Sequence, residues 1–261
     1  MDSDRYSIHF SPLQGYTDRI YRNAFAHYFG GVEVYYTPFI RVEKGALRKR
    51  DLRDIEPETN TVADLIPQIL PGSADEFRLL TDAVGEKGYR QIDINLGCPF
   101  PMIAGKHKGA GMLLYPAQVA EVLAPIAEYP EIQFSLKMRL GWENASECMV
   151  LVELLNTLRL SRIALHARTG KQQYKGHPDL EAFQGFYELC QHPLYYNGGI
   201  ESLSDIRQIL TRFPLLKGVF WSQIISNVPA AVLLSSVNTQ GEMLVAGTDI
   251  GGLGTLIASM A

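Results

Sequence analysis

The sequence predicts an α/β protein, a (β/α)8 TIM barrel, on three observations. Eight short β-rich runs alternate along the chain with segments of helical pattern, and such alternation is typical of a parallel sheet. Eight is also the number of strands that closes this barrel. The 261 residues, 46% of them hydrophobic, are enough for one barrel-sized core. An open doubly wound sheet is the alternative, but no G-x-G-x-x-G follows the first predicted strand.

The elements follow in order along the chain. The predicted strands are residues 8–12, 32–36, 65–70, 91–96, 133–138, 162–166, 194–197 and 218–221. The predicted helices are residues 17–28, 73–88, 116–128, 146–158, 179–190 and 202–213. Ser73 and Glu76 match a capping box at the start of one helix. Gly88 suits its left-handed end, and Pro116 suits a first helical position.

Composition narrows the class of protein. The net charge of −4 gives no overall attraction to nucleic acid, so a polyanionic substrate would need a local basic patch. Three widely spaced cysteines argue against a disulfide scaffold and a zinc site, and they suit a reducing cytosol. The chain has no apolar signal region and no apolar run of about 18 residues. We therefore expect a cytoplasmic monomer without a metal or a membrane span.

Polar residues occur where the predicted strands should be apolar. Gln68, Asn95, Lys137 and His166 each break this pattern, and the reactive groups of a barrel cluster at the carboxyl ends of its strands. A single polar group at a strand end is more often a satisfied hydrogen-bonding group. Four or more on one face indicate a shared site.

The residue types match a flat, anionic, phosphate-bearing ligand. Lys137 and Arg168 can offset negative charge, while Gln68 and Asn95 offer donors and acceptors for the edge of a heterocycle. Residues 197–199, with the sequence NGG, allow the close backbone approach that a phosphate requires. FMN fits this description.

Cys98 follows the fourth predicted strand, within DINLGCP at residues 93–99. A thiol just past the carboxyl end of a barrel strand is in the region where this fold carries its chemistry. The alternative is a small buried hydrophobe. We favour that second interpretation for Cys148, and a structural role for Cys190.

Five segments together resemble the tRNA-dihydrouridine synthases, in the order in which that family carries them. The central segment is residues 93–99, continued through Lys106 to GAGMLL at residues 109–114. The others are SPLQGYTD at residues 11–18, LKMRLGW at 136–142, LHARTG at 165–170 and YNGGI at 196–200. A lone GCP would be a weak signal, whereas the ordered set is strong.

The resemblance implies a flavoprotein that reduces the C5–C6 double bond of uridine in tRNA to 5,6-dihydrouridine. Reduced FMN would deliver a hydride to C6, Cys98 would donate a proton to C5, and NADPH would recharge the FMN. The residues that match the FMN-binding positions are Pro12, Leu13, Gln14, Gln68, Lys137, His166, Asn197, Gly198 and Gly199. Those expected to bind the substrate are Asn95, Arg139, Arg168 and Lys171.

The end of the chain departs from the family, whose barrel is followed by a small helical domain. VFWSQII at residues 219–225 stands in place of a Gly-Arg-Gly-like loop for the flavin phosphate, and after Lys217 only Glu242 and Asp249 are charged. We predict a catalytic, flavin-binding barrel over residues 1–221 and an atypical tail over residues 222–261. Three explanations stay open: a divergent end that still closes the barrel, a frame change near Phe220, which we favour, and loss of productive RNA binding.

Two other functions stay open from the sequence. One is a flavin-dependent reductase of a small pyrimidine or an enone. The other is a non-catalytic RNA- or flavin-binding protein, which a lost phosphate site would leave behind.

Overall fold

The computed structural model describes residues 6–29 and 31–221. Within them, one sheet of nine parallel strands forms the centre of the molecule. The strands are β1 (Ser7–Phe10), β2 (Val34–Tyr36), β5 (Leu65–Ile66), β6 (Gln68–Ile69), β7 (Gln91–Leu96), β8 (Gln133–Gly141), β9 (Leu160–Thr169), β10 (Leu194–Asn197) and β11 (Gly218–Trp221). A separate antiparallel pair consists of β3 (Val42–Glu43) and β4 (Ala46–Leu47).

The sheet closes into a barrel through one broken strand. β5 pairs with β2, whereas β6 pairs with β7, and these are the two ends of the strand order β5-β2-β1-β11-β10-β9-β8-β7-β6. Pro67 separates β5 from β6 because it has no N–H to offer the ladder. Its carbonyl still accepts from Asp93 N at 2.9 Å. The predicted strand 65–70 is therefore two short strands that share one of eight barrel positions, and the (β/α)8 prediction is confirmed.

Helices connect the strands around the barrel. They are α1 (Arg19–Tyr28), α2 (Lys49–Asp54), α3 (Ala74–Glu86), α4 (Pro101–Ala104), α5 (Pro116–Leu123), α6 (Glu147–Thr157), α7 (Leu180–Leu189) and α8 (Leu203–Arg212). The predicted start of α1 at residue 17 is two residues early, because Asp18 is the N-cap and accepts from Tyr21 N at 3.1 Å. The predicted helix 116–128 is α5 followed by a 3₁₀ segment, Ala124–Glu128, since Pro125 cannot donate a helical hydrogen bond.

The predicted capping box at Ser73 forms only one of its two hydrogen bonds. Ser73 Oγ accepts from Glu76 N, but the Glu76 carboxylate accepts from Gly72 N at 2.8 Å instead of from Ser73 N. Gly88 has the left-handed backbone expected after α3, with φ of +89°. The β3–β4 pair, α2, α4 and the 3₁₀ segment Gly109–Leu114 lie outside the predicted strands and helices.

Two apolar clusters flank the barrel wall. The larger includes helix residues such as Phe77 and Leu151 together with the strand residues that alternate outward. The smaller lies inside the barrel and consists of Val34, Tyr36, Ile66, Ala164 and Phe220. Inward positions closer to the carboxyl ends of the strands carry polar side chains. These side chains form the candidate site.

Among the described residues, none of the helices has both the length and the apolar content that a membrane crossing requires. The tail over residues 222–261, and with it the proposed frame change and the domain division after residue 221, lies outside the described residues.

Candidate functional site

A row of polar side chains crosses the carboxyl end of the barrel. The strand register places Asn95 beside Lys137, Arg139 beside His166, and His166 beside Asn197. All five occupy inward positions of their strands. Lys137 is half-buried and the other four are buried. The structure therefore brings these five predicted site residues together.

Lys137 is the cation at the centre of this row. Its Nζ donates to Asn197 Oδ1 at 2.9 Å, and Asn197 Nδ2 donates to the carbonyl of Phe220 at 2.9 Å. Burial, and then the charge of Arg139, lower the pKa of Lys137 to about 8. The ammonium is therefore mostly charged at neutral pH. Because an ammonium carries three donors, it can hold a further acceptor on a ligand.

His166 is neutral and has a defined tautomer. Burial lowers its pKa well below the ordinary value, and the charges of Arg139, Lys137 and Arg168 lower it further. Arg168 Nη1 lies 3.2 Å from His166 Nε2, and a guanidinium can only donate. His166 Nε2 is therefore the acceptor, and Nδ1 carries the proton. His166 can offer a ligand one N–H, but no charge.

Gly198 and Gly199 form a turn that a side chain would block. Their φ angles are +117° and +61°, values that favour glycine. A Cβ at Gly198 would lie 2.9 Å from His166 Cδ2, and one at Gly199 would lie 2.8 Å from Pro178 Cγ. The missing side chains leave the backbone after β10 open to close approach.

Cys98 is half-buried, and its backbone N–H donates to Asn95 Oδ1 of this row at 2.8 Å. It packs against an apolar cluster of Phe39, Leu70 and Ile103. Its carbonyl accepts from Ala110 N at 3.0 Å, which ties it to the 3₁₀ segment Gly109–Leu114. Burial raises the pKa of the Cys98 thiol, against the opposing effects of a backbone hydrogen bond from Phe100 and of nearby cations. The thiol is therefore protonated at neutral pH.

Arg139 and Arg168 hold the loop that follows β9. Arg139 donates to the carbonyls of Thr169 at 2.9 Å and Gln173 at 2.6 Å, and its guanidinium lies 5.3 Å from the ring centre of Tyr174. Arg168 Nη2 donates to the carbonyl of Gly176 at 3.1 Å. Both side chains thus shape the mouth of the barrel, and their contact with substrate stays a prediction.

The remaining predicted residues lie further out. Lys171 is exposed and pairs with Glu143 at 2.5 Å. Pro12 and Leu13 are half-buried and Gln14 is exposed in the loop after β1. Their ligand contacts also stay predictions.

Sequence reasoning missed two buried residues of the site. Asp93 accepts hydrogen bonds from Gln68 Nε2 at 2.7 Å and from Ser135 Oγ at 2.6 Å inside the barrel. The signal for Asp93 was present, because a carboxylate inside an apolar strand is as unusual as the amide at Gln68. Ser135 gave no comparable signal, since a lone serine is common in strands of any kind.

A groove of about 570 Å³ adjoins the segment that contains Cys98. Its wall includes Leu70 and Ile103, which belong to the cluster that Cys98 packs against. Its cations are Arg41, Lys44, Lys106 and Lys108, and its carboxylates are Glu43, Asp75 and Glu76. The groove is therefore mixed in charge, with exposed lysines at its edge.

The family model for dihydrouridine synthase (Dus) matches residues 9–231. The chain belongs to the dihydrouridine synthase family. The resemblance carried by the five sequence segments is thus confirmed by an independent comparison over most of the chain.

Curated relatives of this dihydrouridine synthase family member carry related names. The tRNA-dihydrouridine synthase B of Vibrio parahaemolyticus is 27% identical over 206 residues, which cover 77% of this chain and 62% of that protein. The tRNA-dihydrouridine synthase B of Pseudomonas aeruginosa is 28% identical over 206 residues, with coverages of 77% and 60%. The chain thus spans about three fifths of the length of these relatives.

Solved structures match the fold of this family member. A variant of NCR from Zymomonas mobilis has a TM-score of 0.58 at 12% identity and covers 84% of each chain. Morphinone reductase in complex with tetrahydroNAD has a TM-score of 0.57 at 9% identity, with coverages of 84% and 83%. A GH18 chitinase from Pseudoalteromonas aurantia also matches, at a TM-score of 0.53 and 10% identity, with coverages of 93% and 98%. Because one barrel hosts unrelated chemistries, these likenesses show the fold alone.

Proposed function

We propose that this chain reduces the C5–C6 double bond of uridine in tRNA to 5,6-dihydrouridine, with FMN and NADPH as cofactors. Family membership and the names of the curated relatives support this reaction and its tRNA substrate. The relatives extend well beyond the matched region, so their whole activity comes to this chain as part of the proposal. We also propose that the protein acts in the cytoplasm as a monomer.

The chemistry of the described residues fits FMN. The backbone at Gly198 and Gly199 forms a cradle that a Cβ would fill. The Lys137 ammonium can donate to a ligand in addition to Asn197. We propose that Lys137, His166 and residues 197–199 hold the cofactor, together with Gln68 and the loop of residues 12–14. When bound, FMN supplies the hydride that adds to C6 of the uracil ring, and NADPH restores it.

The position of Cys98 next to the strand-end row is the observation that carries the proposal. Hydride addition at C6 leaves negative charge at C5, and a nearby acid must protonate that carbon. Because burial raises its pKa, the Cys98 thiol keeps its proton at neutral pH and can transfer it to C5. The resulting thiolate then recovers a proton from solvent.

Lys137 and His166 play complementary parts in this proposal. Lys137 supplies positive charge where negative charge develops, and such a preorganised cation is worth more in a site without water than in solution. His166 supplies a neutral N–H from Nδ1. Asn197 orients Lys137, since its Oδ1 accepts from the ammonium at 2.9 Å. Asn95, Arg139, Arg168 and Lys171 are proposed to contact the substrate.

The test is a reconstitution with the full chain. Purified protein is loaded with FMN and incubated with NADPH and a tRNA transcript without modified nucleosides, and dihydrouridine is measured by mass spectrometry of nucleosides. We expect product only when protein, FMN and NADPH are all present. Cys98→Ala should slow product formation by roughly 10²–10⁴-fold, the usual contribution of a general acid, whereas Cys190→Ala should not.

The same samples distinguish the other functions. FMN-loaded protein that forms no dihydrouridine in tRNA but reduces free uridine or an enone would be a small-molecule reductase. Protein that cannot be loaded with FMN at all would contradict the proposed chemistry.

A further inference from the structure

A chain of buried hydrogen bonds runs from the barrel interior to the backbone of Cys98. It begins at the buried carboxylate of Asp93, which accepts from Ser135 Oγ at 2.6 Å and from Gln68 Nε2 at 2.7 Å. Gln68 Oε1 accepts from Asn95 Nδ2 at 2.7 Å. Asn95 Oδ1 in turn accepts from Cys98 N at 2.8 Å. The carboxylate and the cysteine are therefore joined through two side-chain amides.

The direction of this chain is fixed at both of its ends. A backbone N–H can only donate, so Asn95 must turn its oxygen towards Cys98 and its amino group towards Gln68. Gln68 must then turn its oxygen towards Asn95 and its amino group towards Asp93. An ionised carboxylate only accepts, so it matches that last amino group. A donor in its place would favour the reversed amides and set the Asn95 amino group against backbone N–H groups.

Burial is the largest influence on the pKa of the Asp93 carboxyl, and it raises that pKa. The hydrogen bonds from Gln68 and Ser135, and the charges of Lys137 and Arg162, act in the opposite direction. These donors and cations thus favour the ionised form of the carboxylate.

We infer that Asp93 is a positioning residue: through Gln68 and Asn95 it fixes the backbone of Cys98, and so the point from which the thiol delivers its proton. The inference rests on the proposed function, in which Cys98 is the proton donor. Asn95 Oδ1 also accepts from Gly97 N at 3.0 Å, so loss of the chain releases two consecutive backbone amides. The remaining hydrogen bonds to this stretch of backbone are the one from Ala110 N to the Cys98 carbonyl and the one from Arg139 Nε to the Gly97 carbonyl at 3.0 Å.

Three variants of the full chain separate positioning from general stability. Asp93→Leu removes the acceptor and leaves the Gln68 amino group without a partner. Asp93→Asn is the conservative rescue, because its oxygen can still accept from Gln68 while its amino group donates to Ser135. Tyr36→Phe is the matched control: it removes a different polar group buried inside the barrel, a hydroxyl that contacts His9 Nδ1 at 3.0 Å and Arg162 Nη1 at 3.4 Å and no member of the chain.

The first readout is the rate at which iodoacetamide alkylates Cys98 at a fixed pH, measured by peptide mass spectrometry. The second is the pair of kinetic constants kcat and KM for tRNA. Asp93→Leu should raise the alkylation rate about fivefold, the equivalent of one hydrogen bond. It should lower kcat about tenfold and leave KM for tRNA within about twofold, because the loss falls on the transition state. Asp93→Asn and Tyr36→Phe should stay within about twofold of wild type in the alkylation rate.

A folded Asp93→Leu protein with the wild-type alkylation rate overturns the inference, as does equal acceleration by Tyr36→Phe. If circular dichroism shows that Asp93→Leu does not fold, Ser135→Ala takes its place, since it removes one hydrogen bond from Asp93. A faster alkylation of Cys98 in Ser135→Ala then supports the inference, and an unchanged rate overturns it. Wild-type protein that makes no dihydrouridine contradicts the proposed function, whereas the alkylation rates still decide on Asp93.

Discussion

At Lys137, burial and the neighbouring charge of Arg139 act in the same direction and set the working pH of the site. The ammonium has lost most of its water and lies near Arg139, so its pKa falls to about 8. His166 next to it is neutral for the same reasons. The site therefore has one cation that can be titrated near physiological pH, and the proposed binding of FMN depends on it.

FMN binding should weaken as the pH rises through about 8. Below that pH Lys137 is charged in the free protein, and above it the charge is lost before the ligand arrives. The dissociation constant of FMN, measured by fluorescence quenching, should rise about tenfold between pH 7 and pH 9 if the cation is required. In Lys137→Met the dissociation constant should be higher and nearly flat over this range. A flat profile for the wild-type protein would remove Lys137 from the FMN site.

Gly198→Ala should weaken FMN binding more than it weakens the fold. The alanine must adopt a φ of +117°, and its Cβ would lie 2.9 Å from His166 Cδ2. The backbone strain costs about 1–3 kcal/mol. The matched control is Gly88→Ala, which has a similar φ of +89° and no atom within 4 Å of the new Cβ. Both variants should lower the melting temperature, but only Gly198→Ala should raise the dissociation constant of FMN, by about tenfold. Equal FMN affinities in the two variants would contradict this role for Gly198.

At the scale of elements, the sequence predicts the order of strands and helices well because alternation and caps are local signals. The sequence does not predict how one segment is divided between two neighbouring strands. Pro67 splits β5 from β6, and each half pairs with a different neighbour, which no local pattern encodes. α2 and α4 escape prediction because six and four residues are too few to show a helical period.

The capping box of α8 should be worth a measurable part of the stability. Ser202 Oγ accepts from Asp205 N at 3.2 Å, and the Asp205 carboxylate accepts from Ser202 N at 2.8 Å. Ser202→Ala should therefore lower the free energy of unfolding by about 1 kcal/mol, as measured by urea denaturation. Ser204→Ala, on the exposed first turn of the same helix, is the control and should be nearly neutral. Equal losses from both variants would show that the cap contributes nothing specific.

At the scale of the whole molecule, a net charge of −4 means that the proposed binding of tRNA requires a local basic surface. The strand-end residues of the site were predictable because each broke an apolar pattern. The groove beside Cys98 was not, since Lys44 and Lys106 come from segments 62 residues apart and only the fold brings them together.

Reversing the charge of Lys106 should weaken tRNA binding without affecting FMN. Lys106→Glu places a carboxylate at the edge of the groove beside the Cys98 segment, where it repels phosphates. The slope of log affinity against log salt should fall by about 0.9 for a lost duplex phosphate contact and about 0.7 for a single strand. Lys217→Glu is the control, because Lys217 precedes β11 and so lies at the opposite, amino-terminal face of the barrel. An equal loss of tRNA affinity in both variants would exclude a specific contact in the groove.

The central claim is tested most directly by mixing the FMN-loaded, chemically reduced protein with unmodified tRNA in the absence of oxygen. The return of visible flavin absorbance reports transfer to the tRNA, and Cys98→Ala serves as the comparison. The account predicts reoxidation by tRNA that is roughly 10²–10⁴-fold slower in Cys98→Ala, with dihydrouridine formed in step with the absorbance. Equal rates in the two proteins, or no reoxidation by tRNA in either, would contradict it.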